Sequence, residues 1–484
     1  MSSEVSARLV TRQIFTRIRL LGFGGGDMEL GLSDGWVHEG CWVVLSGLAQ
    51  DRIRFGESCH VGMCMSSVEA DLVLLNGKVV TIDPANSVAE AVAVKEGRVL
   101  WVGSDRDVKG LVGRSTRVID LGGKTVLPGF VDSHEHCIAR GLQTDYVGLG
   151  SPPVGSVGDI VEALRAKAKT KKAGEWVIGS GWDDSKLVER RFPTRQDLDR
   201  ASGVNPIYIG RAGGHNAVAN SLALKLAGID RNTPQPPGGR IEKDAGGEPT
   251  GRLDELAAMN MVRDLVPGPG PEESVELMVK NWGSTERMLL SWGITTVDEA
   301  HIKASQARAY QRLLREGRLR MRVGLMLDGM APYRGYATSD LARQGLETGF
   351  GWGDRLRVIS VKLGVDGAMG SHTAAFNRPY EHEPENKGIL RVTQEELTEE
   401  VVRCHLAGLR VCIHAIGDWA VDVALNSLEE ALSRKPWRDH RHRIEHAGYL
   451  EKTQLDRMKR LEVLPSESIG FCYPIGDSHL EALG

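Results

Sequence analysis

Strand-like and helix-like patterns alternate through the body of this 484-residue chain, and this alternation restricts the fold more than any other feature. Short runs of β-branched and apolar residues predict strands, and amphipathic repeats between most of them predict helices. One such repeat places Val421, Leu425 and Leu428 on a single helix face. Strands that alternate with helices favour a parallel sheet with right-handed crossovers. The predicted strands lie at 126–132, 293–297, 321–327, 358–363, 410–414, 443–446 and 463–470.

Seven strands of this kind favour an α/β fold built on a (β/α)8 TIM-like barrel rather than an open sheet. The barrel is expected to occupy residues 128–484, with an insertion at about 137–286 between its first two strands. Residues 65–127 contain short strands separated by glycine turns, which predict a small flanking β-sandwich-like domain. Within that domain, the dipeptide Asn76-Gly77 predicts a tight hairpin.

Charge, hydropathy and cysteine usage exclude several classes of protein. A net charge of −4 and a pI near 6.4 argue against a nucleic-acid-binding surface. The sequence has no run of about 18 apolar residues, so no membrane span is predicted. Seven cysteines without a CxxC pair favour free thiols and a cytoplasmic location. Residues 1–64 are expected to be a leader or a spurious extension, and a transit peptide there would change the location to an organelle.

Two histidines one residue apart close the first predicted barrel strand, in Pro128-Gly-Phe-Val-Asp-Ser-His134-Glu-His136. Residues i and i+2 of a strand point to the same face, so the two imidazoles should reach a common point. A zinc-type ion accepts histidine nitrogens at about 2.0–2.1 Å. Such a triplet also arises by chance or on a solvated turn, so the pair alone leaves both interpretations open.

Residue types that ligate metals recur on other predicted strands. Lys362 lies within the β-branched run of the fourth strand, His414 ends the fifth and His446 ends the sixth. Taken singly, such histidines are often satisfied buried residues, and such a lysine often extends its ammonium to solvent. A buried ammonium is costly unless it is paired or neutralised, and a neutral lysine can react with carbon dioxide to give a carbamate. Because barrel enzymes place their sites at the carboxyl ends of strands, the residues together predict a metal centre.

Several stretches of this sequence match a known pattern in combination. They are Leu127-Pro-Gly-Phe-Val-Asp-Ser-His-Glu-His, Gly293-Ile-Thr-Thr-Val, Lys362-Leu-Gly-Val-Asp-Gly-Ala-Met-Gly-Ser, Ile413-His-Ala-Ile-Gly-Asp and Arg443-Ile-Glu-His-Ala, with Gly179-Ser-Gly-Trp-Asp183 and Gly213-Gly-His215 in the insertion. With these motifs the chain resembles the amidohydrolase superfamily, and within it the amidohydrolase-3 branch that contains N-substituted formamide deformylases. The resemblance extends from about Ala70 to the C-terminus.

The resemblance implies a centre of one or two divalent metal ions, with zinc as the expected ion. The implied ligands are His134 and His136 for the first ion and His414 and His446 for the second, with the carbamate of Lys362 as a bridge. It further implies hydrolysis of a non-peptide C–N bond through a metal-activated hydroxide.

The insertion is expected to shape the substrate pocket. Trp182, Asp183 and His215 are the expected contacts with a small amide-type substrate, although tryptophans at such turns also serve as packing residues. The expected partners include neither nucleic acid nor membrane, and a homodimer is one expected assembly.

One departure from the family pattern concerns the general base. In this superfamily an aspartate at the end of the eighth strand serves as the base, whereas this sequence stops at Gly484. The expectation is therefore a truncated barrel without its last strand and with impaired activity. Asp366, Asp477 and Glu481 are poor substitutes, and Asp366 is expected to order its local turn. The alternatives are a non-catalytic binding or regulatory protein on the same scaffold, and a lactone or phosphoester hydrolase.

Overall fold

The computed structural model describes residues 68–143, 145–329 and 345–471, together with positions 476, 479, 480 and 482. The expected leader, residues 1–64, lies outside the described residues, as do Asp477 and Glu481. Across the described ranges, every helix is too short or too polar to cross a bilayer. The chain divides between Gly129 and Phe130 into two compact units.

The first unit contains two small sheets. Its elements are β1 (Leu72–Leu75), β2 (Lys78–Val80), β3 (Val88–Ala89), β4 (Ala91–Lys95), β5 (Arg98–Gly103), α1 (Asp105–Lys109), β6 (Arg117–Asp120) and β7 (Thr125–Val126). One sheet has the order β5-β4-β1-β6 and the other has the order β3-β2-β7. Val73 and Ala91 are among the buried residues that form the core of this unit.

The prediction of a hairpin at Asn76-Gly77 is wrong. β1 pairs with β4 and β6, whereas β2 pairs with β3 and β7, so the dipeptide carries the chain from one sheet to the other. Asn76 does adopt the left-handed φ of 53° that suits a turn asparagine. Its backbone N–H donates to Asp105 and its side-chain amide donates to Asp120. The turn itself can be predicted from the local sequence, but the strands that β1 and β2 pair with are distant in the chain.

The second unit contains the remaining elements. Its strands are β8 (Phe130–Glu135), β9 (Val147–Gly148), β10 (Val177–Trp182), β11 (Ile207–Arg211), β12 (Asn216–Ala219), β13 (Arg240–Lys243), β14 (Pro249–Asp254), β15 (Ile294–Ile302), β16 (Arg322–Asp328), β17 (Gly351–Trp352), β18 (Leu356–Gly364), β19 (Val411–Ala415), β20 (Arg443–His446) and β21 (Leu464–Glu467). Its helices are α2 (Val157–Ala168), α3 (Arg195–Asp199), α4 (Ser221–Leu226), α5 (Glu255–Arg263), α6 (Pro271–Ser291), α7 (Ala304–Arg315), α8 (Gln394–Leu406), α9 (Asp418–Arg434) and α10 (Lys452–Leu461). Short 3₁₀ turns lie at Ile138–Leu142, Asp184–Lys186, Met369–Ser371 and Ile469–Phe471.

Parallel strands form a nearly closed barrel, which confirms the predicted α/β fold class with its TIM-like barrel. They follow one another in chain order as β8, β15, β16, β18, β19, β20 and β21, and short β17 adds to β18 in antiparallel fashion. The two outer strands approach each other where Ser133 Oγ lies 2.9 Å from Ser466 Oγ. Helices α8 and α9 pack against β19 and bury Val411 and Ile413. This packing fixes the strands whose ends carry the candidate site.

The first two barrel strands extend further than the sequence predicts. β8 begins at Phe130 rather than residue 126, and Pro128, which has no amide hydrogen for a ladder, precedes it. β8 runs to Glu135, so His134 lies within the strand and not beyond it. β15 runs to Ile302, well past the predicted end at residue 297. Both extensions bring polar side chains to the carboxyl end of the barrel.

The insertion between these strands forms a sheet of its own, in the order β13-β14-β12-β11-β10-β9. Its core includes the fully buried side chains of Trp182, Ile207 and Ile209. The turn that joins β11 to β12 carries His215.

Candidate metal centre

The four predicted histidine ligands lie together in the structure. The ring centroids of His134, on β8, and His136, directly after β8, are 5.4 Å apart. The ring of His446 lies 4.6 Å from that of His134 and 4.8 Å from that of His414. Strands β8, β19 and β20 therefore present their histidines to one region at the end of the barrel.

Lys362 is fully buried in the same region. Its Nζ has no hydrogen-bond partner among the described residues. Burial lowers the pKa of this amine to about 8, and the charge of Glu445 opposes that shift. Lys362 on β18 pairs with Cys412 on β19, two residues before His414, so the lysine and this histidine lie on adjacent strands. An unpaired buried amine is costly for a fold, so its presence here points to a role outside packing.

The histidines of this group are neutral at physiological pH. Burial, assisted by the charge of Lys362, lowers the pKa of His134 to about 4. Burial and the neighbouring histidines lower the pKa of His136 to about 3. The pKa values of His414 and His446 lie well below the usual value, again chiefly because of burial. Neutral imidazole is the form that binds metal ions.

Acid should destabilise the metal-free protein through His134. Its pKa is about 4 in the folded chain against an ordinary 6.5, so the unfolded chain takes up the proton first. The stability due to the neutral ring is present above pH 6.5 and is lost as the pH falls towards 4. Between pH 7 and pH 5 we expect the free energy of unfolding to fall by about 2 kcal/mol for this residue. Urea unfolding of the wild type and His134→Asn at both pH values measures this loss, and an equal fall in both proteins would contradict it.

His301 is a further histidine of this group that the sequence motifs did not predict. The ring of His301 stacks on that of His136 with centroids 5.8 Å apart and an interplanar angle of 9°. Its Nδ1 lies 3.3 Å from Asp328 Oδ1, at the end of the next strand. The missed signal was the run Asp298-Glu-Ala-His301, which continues the strand beyond its predicted end.

Beneath the histidines, a charged network crosses the barrel interior. Glu445 Oε2 lies 2.5 Å from His134 Nδ1, and Glu445 Oε1 accepts from Arg443 Nε at 2.8 Å. Arg443 Nη1 donates to Asp298 Oδ2 at 2.8 Å. The sequence motif Arg443-Ile-Glu-His446 contains two of these residues, but it gives no sign of the partner strands.

The insertion contributes His215 to the same region. Its ring centroid lies 5.3 Å from that of His414, and its Nδ1 lies 3.0 Å and 3.1 Å from the two carboxylate oxygens of Glu255. Glu255 is fully buried and also accepts from Thr373 Oγ1 at 2.7 Å. The carboxylate therefore fixes the orientation of the His215 ring at the edge of the histidine group.

The other two expected substrate contacts have different surroundings. Trp182 is fully buried in the core of the insertion, where its ring meets Phe192 edge to face at 5.2 Å. Asp183 is buried and accepts from Arg211 Nη2 at 2.9 Å and from Ser185. Both contact residues of the insertion, so a substrate contact by Trp182 would require its side chain to leave that core.

Backbone strain is concentrated around this region. Glu255, His301 and His446 have left-handed φ values of 62°, 57° and 70° although none is glycine. Such conformations cost about 1–3 kcal/mol each and persist where the surrounding structure or a function requires them.

The family model Amidohydro_3, described as the amidohydrolase family, matches residues 117–483. This chain belongs to the amidohydrolase family. The match includes the whole barrel and the insertion, and therefore every candidate residue described above. The predicted membership of the amidohydrolase-3 branch is confirmed.

The chain is similar to proteins with several different names. The chain is 33% identical to "Protein LONG AFTER FAR-RED 3" of Arabidopsis thaliana, over 87% of this chain and 71% of that protein. It is 32% identical to an N-substituted formamide deformylase of Arthrobacter pascens, over 81% and 72%. Among solved structures, an uncharacterized metal-dependent hydrolase of Pyrococcus horikoshii superposes with a TM-score of 0.63 at 30% identity, over 85% of this chain and 77% of that one. These similarities support a hydrolase that depends on a divalent metal.

The chemistry of the candidate residues fits such an ion, although the side chains are not arranged around a single point. In the described part of the chain, no three His, Cys, Asp or Glu side chains form a ready-made metal site. His414 Nε2 lies 2.8 Å from the carbonyl oxygen of Gly367, and His446 Nδ1 lies 2.7 Å from Ser468 Oγ. Four neutral imidazoles nevertheless supply the nitrogen donors that a zinc-type ion accepts.

Proposed function

We propose that this amidohydrolase hydrolyses a non-peptide C–N bond in a small amide-type molecule, with zinc as its metal. The observation that carries the proposal is the buried amine of Lys362, which has no hydrogen-bond partner among the described residues and lies on the strand next to that of His414. A packing role does not explain such a group. A role as a precursor of a metal ligand does.

In this proposal each residue has a defined task. His134 and His136 would hold one ion, and His414 and His446 would hold a second. The neutral amine of Lys362 would form a bond to the carbon of CO₂ and release one proton to solvent, and the resulting carbamate would bridge the ions. When bound, the metal supplies Lewis acidity, which acidifies water and polarises a carbonyl group.

His215 is proposed to contact the substrate. Glu255 holds its Nδ1, so the ring is fixed before a substrate arrives. Such preorganisation lowers the entropic cost of orienting a substrate.

Asp366 does not supply the general base in this proposal. Its buried carboxylate accepts hydrogen bonds from the backbone N–H groups of Ala375, Ile416 and Gly417. Burial raises the pKa of Asp366 to about 7, and these donors oppose that rise. The carboxylate thus ties together the loops after β18 and β19.

The test is turnover of N-substituted formamides and other simple amides by the zinc-loaded protein. We expect His134→Ala to lower kcat/KM by about 100-fold or more, equivalent to about 3 kcal/mol, and to reduce the zinc bound per chain. His382→Ala, at an exposed histidine, serves as the matched control and should change neither value.

Equal hydrolysis by the wild type and His134→Ala would refute the proposed function. Zinc binding without any hydrolysis of amides would favour the non-catalytic binding or regulatory alternative.

A further inference from the structure

We propose that Glu445 is the positioning residue for His134, and that Arg443 and Asp298 hold Glu445 in that role. This role rests on the metal centre proposed above. It assigns a function to three charged residues that the proposed hydrolysis does not otherwise use.

The contact between Glu445 and His134 selects one form of the imidazole. Glu445 Oε2 lies 2.5 Å from His134 Nδ1, and an ionised carboxylate only accepts hydrogen bonds. Nδ1 must therefore carry the proton, which leaves the lone pair of the neutral ring on Nε2. A histidine that binds a metal through one nitrogen typically donates its other N–H to such a carboxylate.

Arg443 pairs with Glu445 and holds it in place. The two residues are i and i+2 on β20 and so face the same side of the strand. Arg443 Nε donates to Glu445 Oε1 at 2.8 Å, so each carboxylate oxygen has a partner.

Contacts to two further strands fix the guanidinium itself. Arg443 Nη1 donates to Asp298 Oδ2 on β15 at 2.8 Å, and Nη2 donates to the carbonyl oxygen of Ser133 on β8 at 3.0 Å. Ser133 directly precedes His134, so Arg443 contacts both the backbone and, through Glu445, the side chain of the same segment. The network thus determines where His134 lies and which ring nitrogen it presents.

The charges of the network also suit a cation. Two carboxylates and one guanidinium carry a net charge of −1 when ionised, next to a region proposed to receive divalent ions. Ordinary packing would favour apolar residues at these positions, because buried ion pairs often add little to stability.

The experiment compares zinc affinity, measured by competition with a chelator, in full-length wild type, Glu445→Gln and Glu286→Gln. Glu445→Gln removes the charge and keeps the shape, and we expect zinc affinity to fall about 10–100-fold. Glu286 is the matched control because it is buried and accepts from Arg320 Nε at 2.8 Å, but lies on α6 away from β20. Its variant should bind zinc as tightly as the wild type.

Two further variants exclude a purely structural explanation. Glu445→Asp keeps the charge and should restore part of the affinity. Asp298→Asn weakens the contact that holds Arg443, and Asp298 itself does not contact His134. We expect zinc affinity to fall by up to about tenfold in this variant. Unchanged affinity in both Glu445→Gln and Asp298→Asn would overturn the positioning role.

Histidine-selective ¹⁵N NMR of the metal-free protein separates this inference from the proposed function. His134→Ala assigns the signal, and two-bond correlations identify the protonated nitrogen. We expect Nδ1–H in the wild type and a shift towards Nε2–H in Glu445→Gln. If the tautomer differs between the two proteins as expected but the wild type binds no zinc, the metal centre is refuted and the positioning by Glu445 is supported. The same tautomer in both proteins would overturn the positioning.

Discussion

Lys362→Met should make the metal-free protein more stable and the zinc-loaded protein nearly inactive. Methionine fills a similar volume without a charge, so the variant no longer buries an unpaired amine. The folded pKa of about 8 against an ordinary 10.5 means that the unfolded chain holds this proton more tightly. The contribution of Lys362 to stability is therefore present above pH 10.5 and is lost as the pH falls through 8. At pH 7 we expect the variant to gain about 2–3 kcal/mol in free energy of unfolding.

Activity should change in the opposite direction. Loss of the bridging carbamate should lower kcat/KM by about 10³-fold, equivalent to about 4 kcal/mol. Urea unfolding and amide turnover measure the two quantities on the same preparations. Lys452→Met, at an exposed helical lysine, is the control and should change neither.

Small carboxylates provide a sharper version of this test. Lys362→Ala leaves space where the side chain stood, and acetate or propionate in that space would supply the carboxylate that the carbamate supplied. Partial recovery of turnover is the expected result. A Lys362→Met variant that is less stable than the wild type and fully active would contradict this interpretation of Lys362.

Of the substitutions proposed for this protein, Arg443→Met should cause the largest loss in free energy of unfolding. Removal of the guanidinium leaves Asp298 and the fully buried Glu445 without their shared counter-charge. Breaking a buried ion pair from one side typically costs about 3–5 kcal/mol. Arg312→Met removes an arginine from an exposed pair of contacts with Glu276 and Glu316, and should cost less than about 1 kcal/mol. Denaturant unfolding at pH 7 measures both.

The pH dependence identifies the cause of this loss. In the wild type Glu445 has a pKa well below its ordinary value, so it contributes stability that is present above pH 4.5 and is lost in acid. Without Arg443 the buried carboxylate should protonate more readily, so the deficit of the variant should shrink as the pH falls. Adding Glu445→Gln to Arg443→Met should also recover part of the stability. An Arg443→Met variant as stable as the wild type would show that the network does not stabilise the fold.

The sequence predicted the barrel because its evidence is local and repeated. Each β-branched run between helical repeats marks one strand, and the strand order follows the chain. The predicted strand ends were less accurate, because the apolar run at 293–297 stops before β15 ends at Ile302. That error concealed His301. The hairpin at Asn76-Gly77 failed because a turn signal does not identify the strands that pair on either side of it.

For the candidate site, residue type was predictable and contact was not. An HxH pair and a lysine in a strand are visible in one dimension, whereas the contact of Glu445 with His134 joins residues 311 positions apart. The same limit applies to Trp182, whose burial depends on how the insertion folds. Glu255 gave no signal in the sequence, because its importance comes from a strained backbone and from the partners it meets.

The most direct measurement is anomalous X-ray diffraction at the zinc edge from crystals grown with zinc and bicarbonate. We expect anomalous density bounded by the side chains of the five predicted ligands, with extra density on Lys362 Nζ for the carbamate. These ligands are His134, His136, Lys362, His414 and His446. Zinc bound elsewhere, or no anomalous signal among these side chains in a crystal that contains zinc, would contradict the proposed metal centre.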